Sequence, residues 1–340
     1  MKNLTRFAPQ LVTLAVILLL NYLVFPDFFK IEIANGRLFG TAIDVLNRGA
    51  PVALLCIGMT LVIATKGIDL SVGAVMAICG AVAAATVDSG GSVYMAVSLA
   101  LLAGFVCGVW NGMLVSILNI QPIIATLILM VAGRGIAQLI TKGAILTFTD
   151  EGLIFVGSGS VFSIPTPILI WIFVGILVTF IVRRTALGML IESIGINRRA
   201  SIFSGVNAKV LLITVYVVSG LCAALAGTIA AADIKGADAN NAGLWLELDA
   251  ILAVAIGGTS LLGGRFTLVG SLIGAMIIQS INTGVLLSGF PPEFNLIIKA
   301  AIIVIILVIQ SPALQLKYIE YRDRKDSLKP KTTMSEEQAP

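Results

Sequence analysis

Residues Val93–Leu118 read VYMAVSLALLAGFVCGVWNGMLVSIL, a run of 26 residues without a charged side chain. A helix needs about 20 mostly apolar residues to cross the hydrocarbon core of a bilayer. This segment is long enough and apolar enough to do so. It therefore predicts a transmembrane helix, and similar apolar runs recur along the rest of the chain.

The composition of the whole chain supports the same conclusion. Of its 340 residues, 58% are hydrophobic, 12% are charged and none is histidine. A soluble domain has about 25% charged residues, and the mean hydropathy of this chain is +1.04, so an ordinary water-facing surface is excluded. The lack of histidine excludes histidine-based catalysis and histidine-bound metal ions. We predict an all-α, polytopic transmembrane helix bundle.

Apolar segments of suitable length predict about ten membrane spans. They lie near Pro9–Phe25, Gly49–Thr65, Leu70–Val87, Val93–Leu118, Ile123–Thr141, Pro165–Val182, Val210–Ala232, Leu248–Leu262, Phe266–Ser288 and Leu296–Ile309. Residues 1–310 are therefore expected to form one membrane domain. Residues 311–340 are polar and are expected to form a solvated tail.

The distribution of Lys and Arg predicts the orientation of these spans. Basic residues occur before the first span (Lys2 and Arg6), between the sixth and seventh spans (183–209) and in the tail. The positive-inside rule places all three regions in the cytoplasm, which requires an even number of spans. The loops assigned to the outer side carry mostly acidic residues, namely Asp150, Glu151, Asp233, Asp238, Glu247, Asp249 and Glu293.

Little in the sequence predicts chemistry on the chain itself. The four cysteines lie far apart inside apolar runs, a pattern that predicts neither disulfides nor a zinc site. The segment Gly257–Arg265 is rich in glycine but lacks the Gly-Lys-Ser/Thr sequence of a phosphate-binding loop. We therefore expect no catalytic residue, no cofactor, no metal ion and no nucleic-acid partner.

The segment Gly58–Gly73, GMTLVIATKGIDLSVG, predicts two helices joined by a tight cytoplasmic turn. Lys66 would lie at the end of the first helix, Gly67 would adopt the left-handed conformation, and Asp69 would cap the second helix. An acidic residue this close to the membrane is also a candidate functional group. Both interpretations of Asp69 stay open at this point.

A second pattern lies within the segment quoted first. Gly104, Gly108 and Gly112 recur at every fourth residue, which predicts one smooth helix face where another helix approaches closely. Asn111 lies beside this face. An amide inside a membrane needs either a hydrogen-bond partner or a water-filled path.

The basic region 183–209 predicts two short amphipathic segments divided by Gly195. One interpretation is an interfacial helix that lies on anionic lipid. The other is a docking helix for a cytoplasmic partner, because Glu192 interrupts the basic face.

Taken together, these motifs resemble the permease subunits of ATP-binding-cassette sugar importers, and within them the ribose-type monosaccharide branch, over about residues 40–310. Several blocks further resemble the galactofuranose importer permeases of enteric bacteria. The segments that carry the family resemblance are Gly58–Gly73, Asn111-Gly112, Gly188–Asn197, Asn241–Ile251 and Gly257–Arg265. The blocks that resemble the galactofuranose importer permeases include Gly36–Gly40, Ala237–Trp245 and Leu287–Glu293.

The resemblance implies a subunit of the bacterial inner membrane without an ATPase site of its own. Its implied partners are an ATP-binding-cassette ATPase, a second permease that is identical or paralogous, a periplasmic sugar-binding protein and the lipid bilayer. The region 183–209 would couple to the ATPase through Gly188, Glu192, Gly195, Asn197 and Gly205. Polar candidates for the translocation path are Asp69, Ser71, Asn111, Asn119, Gln121, Thr126, Asp249, Thr259, Ser260 and Asn282.

Three alternatives compete with this interpretation. A cation-coupled secondary transporter of a small polar solute is one, although proton coupling normally uses titratable groups within the membrane. A passive channel is another. An intramembrane enzyme is the third, but the chain has no HExxH motif and no nucleophile with an evident base.

The ten-span arrangement predicts the location of two reporter fusions. Alkaline phosphatase fused after Gly195 should be inactive, because that point would be cytoplasmic, whereas the same enzyme fused after Ser158 should be active in the periplasm. Green fluorescent protein fused at the same positions is the matched control and should fluoresce in the opposite pattern. Any other pattern contradicts the ten-span model.

Overall fold

A computed structural model of the chain describes residues 7–34, 36–289, 291 and 293–310. The basic residues Lys2 and Arg6 and the predicted tail 311–340 lie outside the described residues. The orientation predicted from them is therefore carried forward as a prediction.

The described part of the chain is mainly helical. Its helices are α1 (Ala8–Val24), α2 (Thr41–Arg48), α3 (Ala50–Ala64), α4 (Val72–Asp88), α5 (Val93–Ser116), α6 (Pro122–Thr141), α7 (Glu151–Ser158), α8 (Thr166–Arg184), α9 (Leu187–Ile196), α10 (Arg198–Phe203), α11 (Ala208–Asp233), α12 (Leu246–Ile256), α13 (Leu268–Leu287) and α14 (Glu293–Gln310), with a 3-10 turn at Pro26–Phe29. The predicted fold class, a bundle of apolar helices, is confirmed.

Short antiparallel strand pairs connect some of the loops. β1 (Glu32–Ala34) pairs with β2 (Arg37–Phe39), β3 (Leu146–Thr147) with β6 (Gly236–Ala237), and β4 (Ser160–Val161) with β5 (Ile164–Pro165). The β3–β6 pair joins the end of α6 to the segment that follows α11.

Each of the ten predicted spans coincides with a helix. The largest difference is at the eighth, predicted over Leu248–Leu262, because α12 ends at Ile256. The chain turns there at Gly257 and Gly258, and Gly258 has a φ of 83°, a left-handed conformation that glycine adopts without strain. Hydropathy does not detect this turn, because Leu261 and Leu262 follow it after only two polar residues.

Not every one of these helices is long enough to cross a membrane. Among the described residues, five helices are long and apolar enough to do so, namely α5, α6, α8, α11 and α13. A sixth span is counted if α2 and α3, which are bent by 41° relative to each other, are taken as one. The 11 residues of α12 reach only about 16 Å at 1.5 Å per residue. The count of ten spans remains a prediction.

The described residues up to Gly284 form one compact unit, and those from Val285 onward, which include α14, form a second. In the first unit α11 packs against α3, α4 and α5. Nearly all residues of α3 and α4 are buried, so their apolar side chains contact protein. By contrast, α5, α6 and α8 expose large apolar side chains, including Val106, Leu139 and Phe173, as lipid-facing helices do.

The predicted packing role of the glycine stripe is confirmed. A Cβ added at Gly108 would lie 2.6 Å from the backbone oxygen of Tyr216, and one added at Gly112 would lie 2.7 Å from Cα of Ile213. Gly104 meets the backbone of Gly220 in the same way. The stripe thus lets α5 and α11 approach to backbone contact.

Replacement of Gly108 by Val should separate α5 from α11. Overpacking a tight contact costs about 1–3 kcal/mol, so the thermal midpoint of the purified protein in detergent should fall. Gly135→Val in α6 is the matched control, because no atom lies within 4 Å of a Cβ built there. Equal midpoints for the two variants would contradict the packing assignment.

Candidate functional site

A buried polar cluster lies where the segment 65–71, between α3 and α4, meets α5 and α11. Asp69 is 3% exposed, and its Oδ1 accepts hydrogen bonds from the backbone N and Oγ of Ser71 at 3.1 and 2.6 Å. Its Oδ2 accepts from Oγ of Ser219 at 2.8 Å. Nδ2 of Asn111 donates to Oγ of Ser71 at 2.8 Å. Because a buried carboxyl is costly without partners, these bonds fix segment 65–71 to both helices.

Thr126 holds the same segment from α6. Its fully buried Oγ1 accepts a hydrogen bond from the backbone N of Leu70 at 3.2 Å, and its hydroxyl lies 3.0 Å from the carbonyl oxygen of Pro122. Four predicted path residues, Asp69, Ser71, Asn111 and Thr126, therefore lie on or directly against one short segment.

Two buried polar atoms close to segment 65–71 have no hydrogen-bond partner among the described residues. They are Oδ1 of Asn111 and the hydroxyl of Tyr216. A Cβ built on Gly67 would lie 2.7 Å from that hydroxyl, which places Tyr216 against the turn. Both atoms are able to bond to water or to the hydroxyl groups of a ligand.

The turn differs from its prediction in two details. Lys66, with a φ of 65°, adopts the left-handed conformation that was predicted for Gly67. Gly67 is instead needed for space, because Tyr216 and Val62 crowd it. The N-cap of α4 is Ser71, and the Asp69 side chain bonds across to α11. The capping prediction for Asp69 is therefore wrong, because tertiary contacts determine this turn.

The other end of the segment contacts the predicted coupling region. Three parts of the chain meet here: Ala64 with Lys66, Gly195 with Ile196, and Gly264. We call this contact the Gly195 junction. Lys66 Nζ donates to the carbonyl oxygen of Ile196 at 3.1 Å, and the backbone N of Gly264 donates to the carbonyl oxygen of Ala64 at 2.9 Å. A Cβ on Gly195 would collide with the Ala64 carbonyl oxygen, so only glycine fits here.

The predicted coupling region contains α9 and α10. The two helices meet at Asn197, which ends α9 and caps α10 by accepting a hydrogen bond from the backbone N of Ala200 at 3.1 Å. The predicted division at Gly195 is wrong, because Gly195 lies within the last turn of α9. Gly188 is buried beside Val182, Glu192 is half-buried, and Gly205 follows α10 in a left-handed conformation.

The apolar residues of α9 and α10 fall on two sides. Ile191 and Ile194 are buried in the interior of the first unit, whereas Met189 and Phe203 are 70% and 90% exposed. An exposed apolar side chain on a basic loop suits contact with a partner or with lipid.

The remaining candidates lie elsewhere. Asn119 and Gln121 are exposed and line a cavity of about 470 Å³ next to α9 and α10. Thr259 is buried and its Oγ1 accepts a hydrogen bond from the backbone N of Thr267 at 3.3 Å, while Ser260 is exposed. Asn282 is half-buried in α13.

Asp249 and Glu247 were both expected in an outer loop. Both lie within α12 and are buried, at 2% and 4% exposure. The loop assignment of these two acids is therefore wrong.

A second polar group joins α6 to the segment between α11 and α12. Arg134 Nη1 donates to the carbonyl oxygens of Ala239 and Ala242 at 3.0 and 2.6 Å, and Gln138 Nε2 donates to Oδ1 of Asn240 at 2.8 Å. In the same segment the amide of Asn241 donates to Asp238 and holds the pKa of that carboxyl below its usual range.

Ser219 and Tyr216 were not among the residues predicted from the sequence. Both lie in α11, 150 and 147 residues from Asp69, inside a run that reads as an ordinary apolar helix. A hydroxyl in the middle of a membrane helix was the available signal, because such a group needs a partner in hydrocarbon.

Removal of the Ser219 hydroxyl should weaken the cluster. Leaving the buried Oδ2 of Asp69 without its donor costs about 1–3 kcal/mol, so Ser219→Ala should lower the thermal midpoint of the purified protein. Ser98→Ala in α5 is the control, because Ser98 is exposed. If both variants melt like the unmodified chain, the cluster does not anchor segment 65–71.

Comparison with known proteins shows which family this chain belongs to. The chain is 60% identical over 303 residues to the galactofuranose transporter permease protein of Escherichia coli (strain K12), covering 89% of each chain. It is 44% identical to the fructose import permease protein of Bifidobacterium longum, covering 82% of this chain and 79% of that one. With the ribose import permease protein of Escherichia coli it shares 37% identity, over 89% and 92% of the two chains.

The family model described as "Branched-chain amino acid transport system / permease component" matches residues 41–307. This match includes segment 65–71, the Gly195 junction and α9 with α10. The chain therefore belongs to this family of transport permeases.

Proposed function

We propose that this chain forms the translocation path of an ATP-driven importer for a monosaccharide, with galactofuranose as the substrate. The observation that carries the proposal is the 60% identity, over 89% of both chains, to a galactofuranose transporter permease. The fructose and ribose import permeases among its relatives support a sugar as the substrate class.

The polar groups of the membrane domain suit a neutral, hydroxyl-rich solute. Asn111 offers an unpartnered polar atom next to segment 65–71, and its amide forms neutral hydrogen bonds. We infer that the path runs along this segment, where Asp69, Ser71 and Thr126 hold the backbone in place. In this proposal Asp69 positions the path and does not bind the sugar, since both its oxygens already accept hydrogen bonds.

The energy would come from a partner ATPase that docks on α9 and α10. The exposed Met189 and Phe203 offer it an apolar contact, and half-buried Glu192 offers a charged one. A rigid-body movement of α9 would reach segment 65–71 through the Gly195 junction, where Lys66 bonds to the Ile196 carbonyl oxygen. Small displacements at packed contacts of this kind are passed on as whole-element shifts.

The rest of the assembly follows from the same proposal. A second permease, identical or paralogous, would complete the membrane core, and a periplasmic sugar-binding protein would deliver the substrate. The complex would lie in the bacterial inner membrane, with ten spans and both termini in the cytoplasm, and residues 311–340 would form a cytoplasmic tail.

The proposal is tested by the ATPase activity of the reconstituted complex. The complex would contain this chain, its proposed partner ATPase and second permease, and the binding protein loaded with galactofuranose, fructose, ribose or no sugar. Stimulation by the galactofuranose-loaded protein alone is the expected result. Stimulation by another sugar would correct the substrate, and sugar uptake on a cation gradient without ATP would overturn the importer.

The coupling assignment predicts the effect of a change at the Gly195 junction. Gly195→Val should separate α9 from the Ala64 carbonyl oxygen, so ATP hydrolysis would continue while sugar uptake per ATP falls several-fold. Glu192→Ala should uncouple in the same direction by weakening the ATPase contact. Glu151→Ala, an exposed acid at the start of α7, is the control. Normal coupling in both test variants would refute the docking assignment.

The path assignment predicts that Asn111→Leu lowers sugar uptake while the complex still assembles. The substitution keeps the branching at Cγ but removes both the bond to Ser71 and the unpartnered oxygen. Uptake in proteoliposomes, normalised to the amount of assembled complex, is the measurement. Unchanged uptake would reduce Asn111 to a packing residue.

A further inference from the structure

A cavity of about 470 Å³ lies between the coupling region and the inner ends of neighbouring helices. Its wall comes from segment 65–67, the link between α5 and α6, the joint of α9 and α10, and α11. Apolar side chains form part of the wall, including Val115, Ile194 and Leu212. The cavity is far larger than one water molecule, whose share of liquid volume is about 30 Å³.

Three basic residues surround this cavity, namely Lys66, Arg198 and Arg199, and none of the described residues that line it is acidic. The contacts of Lys66 and Arg198 are with neutral groups: Lys66 Nζ with the Ile196 carbonyl oxygen at 3.1 Å, and Arg198 Nη2 with Oδ1 of Asn119 at 3.4 Å. Like charges around one cavity repel. An anion within it would offset that repulsion.

Neutral hydrogen-bonding groups line the same cavity. Asn119 and Gln121 present amides, and Tyr216 is fully buried with a hydroxyl that has no partner among the described residues. A buried hydroxyl without a partner is costly, so an occupant with a polar group would satisfy it. The combination of three cations with neutral donors and acceptors matches an anionic group attached to a hydroxylated body.

We propose that this cavity binds a phosphate ester that carries hydroxyl groups, with Lys66, Arg198 and Arg199 around the phosphate and Tyr216 and Gln121 toward the hydroxyls. Such a ligand bridges segment 65–71 and the joint between α9 and α10. It would therefore bias the contact through which the coupling region moves that segment. This consequence for transport rests on the proposed function, whereas binding itself does not.

Two sources supply this chemistry, a soluble sugar phosphate and the headgroup of phosphatidylglycerol. The full chain, purified with its associated subunits, would be placed in phosphatidylcholine nanodiscs and titrated with radiolabelled glucose 6-phosphate. A second sample, in nanodiscs containing phosphatidylglycerol, would be analysed for retained lipid by native mass spectrometry. Saturable binding in the first arm identifies a soluble ligand, and selective retention in the second identifies the lipid; either supports the site.

The variants determine whether binding occurs at this cavity. Arg198→Gln with Arg199→Gln should weaken binding about tenfold or more, because hydrogen bonds between charged groups are the strong ones. Arg184→Gln, an exposed arginine at the end of α8 outside the cavity, should leave binding unchanged. Tyr216→Phe keeps every charge and should weaken binding several-fold, so the test survives if the double variant does not fold.

Some results would overturn the proposal. They are no saturable binding in either arm, equal binding by the Arg198 and Arg199 double variant and by Arg184→Gln, or competition by inorganic phosphate as strong as that by glucose 6-phosphate. The last result would mean that the cavity attracts any anion and recognises no ester. None of these measurements depends on ATP or on sugar uptake, so failure here is distinct from failure of the importer assignment.

Discussion

The burial of one carboxyl group governs the arrangement of this membrane domain. Asp69 lies in the interior of the protein, where an acidic side chain is stable only if its oxygens are fully hydrogen-bonded. Ser71 supplies the donors from its own turn, and Ser219 supplies one from α11. Because these partners come from two elements far apart in the sequence, the turn cannot move independently of α11. Asn111 and Thr126 extend the same constraint to α5 and α6.

Glycine makes these contacts possible. Gly108 and Gly112 let α5 approach α11 closely enough for Asn111 to reach Ser71, and Gly195 lets α9 rest directly on the Ala64 carbonyl oxygen. One short segment is thus held at both ends, to the helices of the bundle by Asp69 and to α9 through Lys66. The proposed coupling needs a connection of this kind if movement at a docked ATPase is to reach the proposed path.

Most of the helices could be predicted because hydropathy is a local property of the sequence. Each predicted span coincides with a helix, since a run without charges, such as Val93–Ser116, has no other stable form in lipid. The early end of α12 could not be predicted in this way, because Gly257 and Gly258 precede further apolar residues. The contacts of the site are long-range: no local pattern pairs Ser219 with Asp69, or assigns the left-handed conformation to Lys66 and not to Gly67. Those details depend on how Tyr216 and Val62 crowd the turn.

In the proposed mechanism, segment 65–71 transmits movement from the coupling region to the helices around it. The most direct test is the number of sugar molecules imported per ATP hydrolysed by reconstituted transporters that carry Asp69→Asn. An asparagine keeps the shape but loses one of the two acceptor oxygens that hold the segment to Ser71 and Ser219. If segment 65–71 transmits the movement, this ratio falls several-fold while the ATPase rate stays near that of the unmodified transporter. An unchanged ratio, with normal uptake, would contradict it.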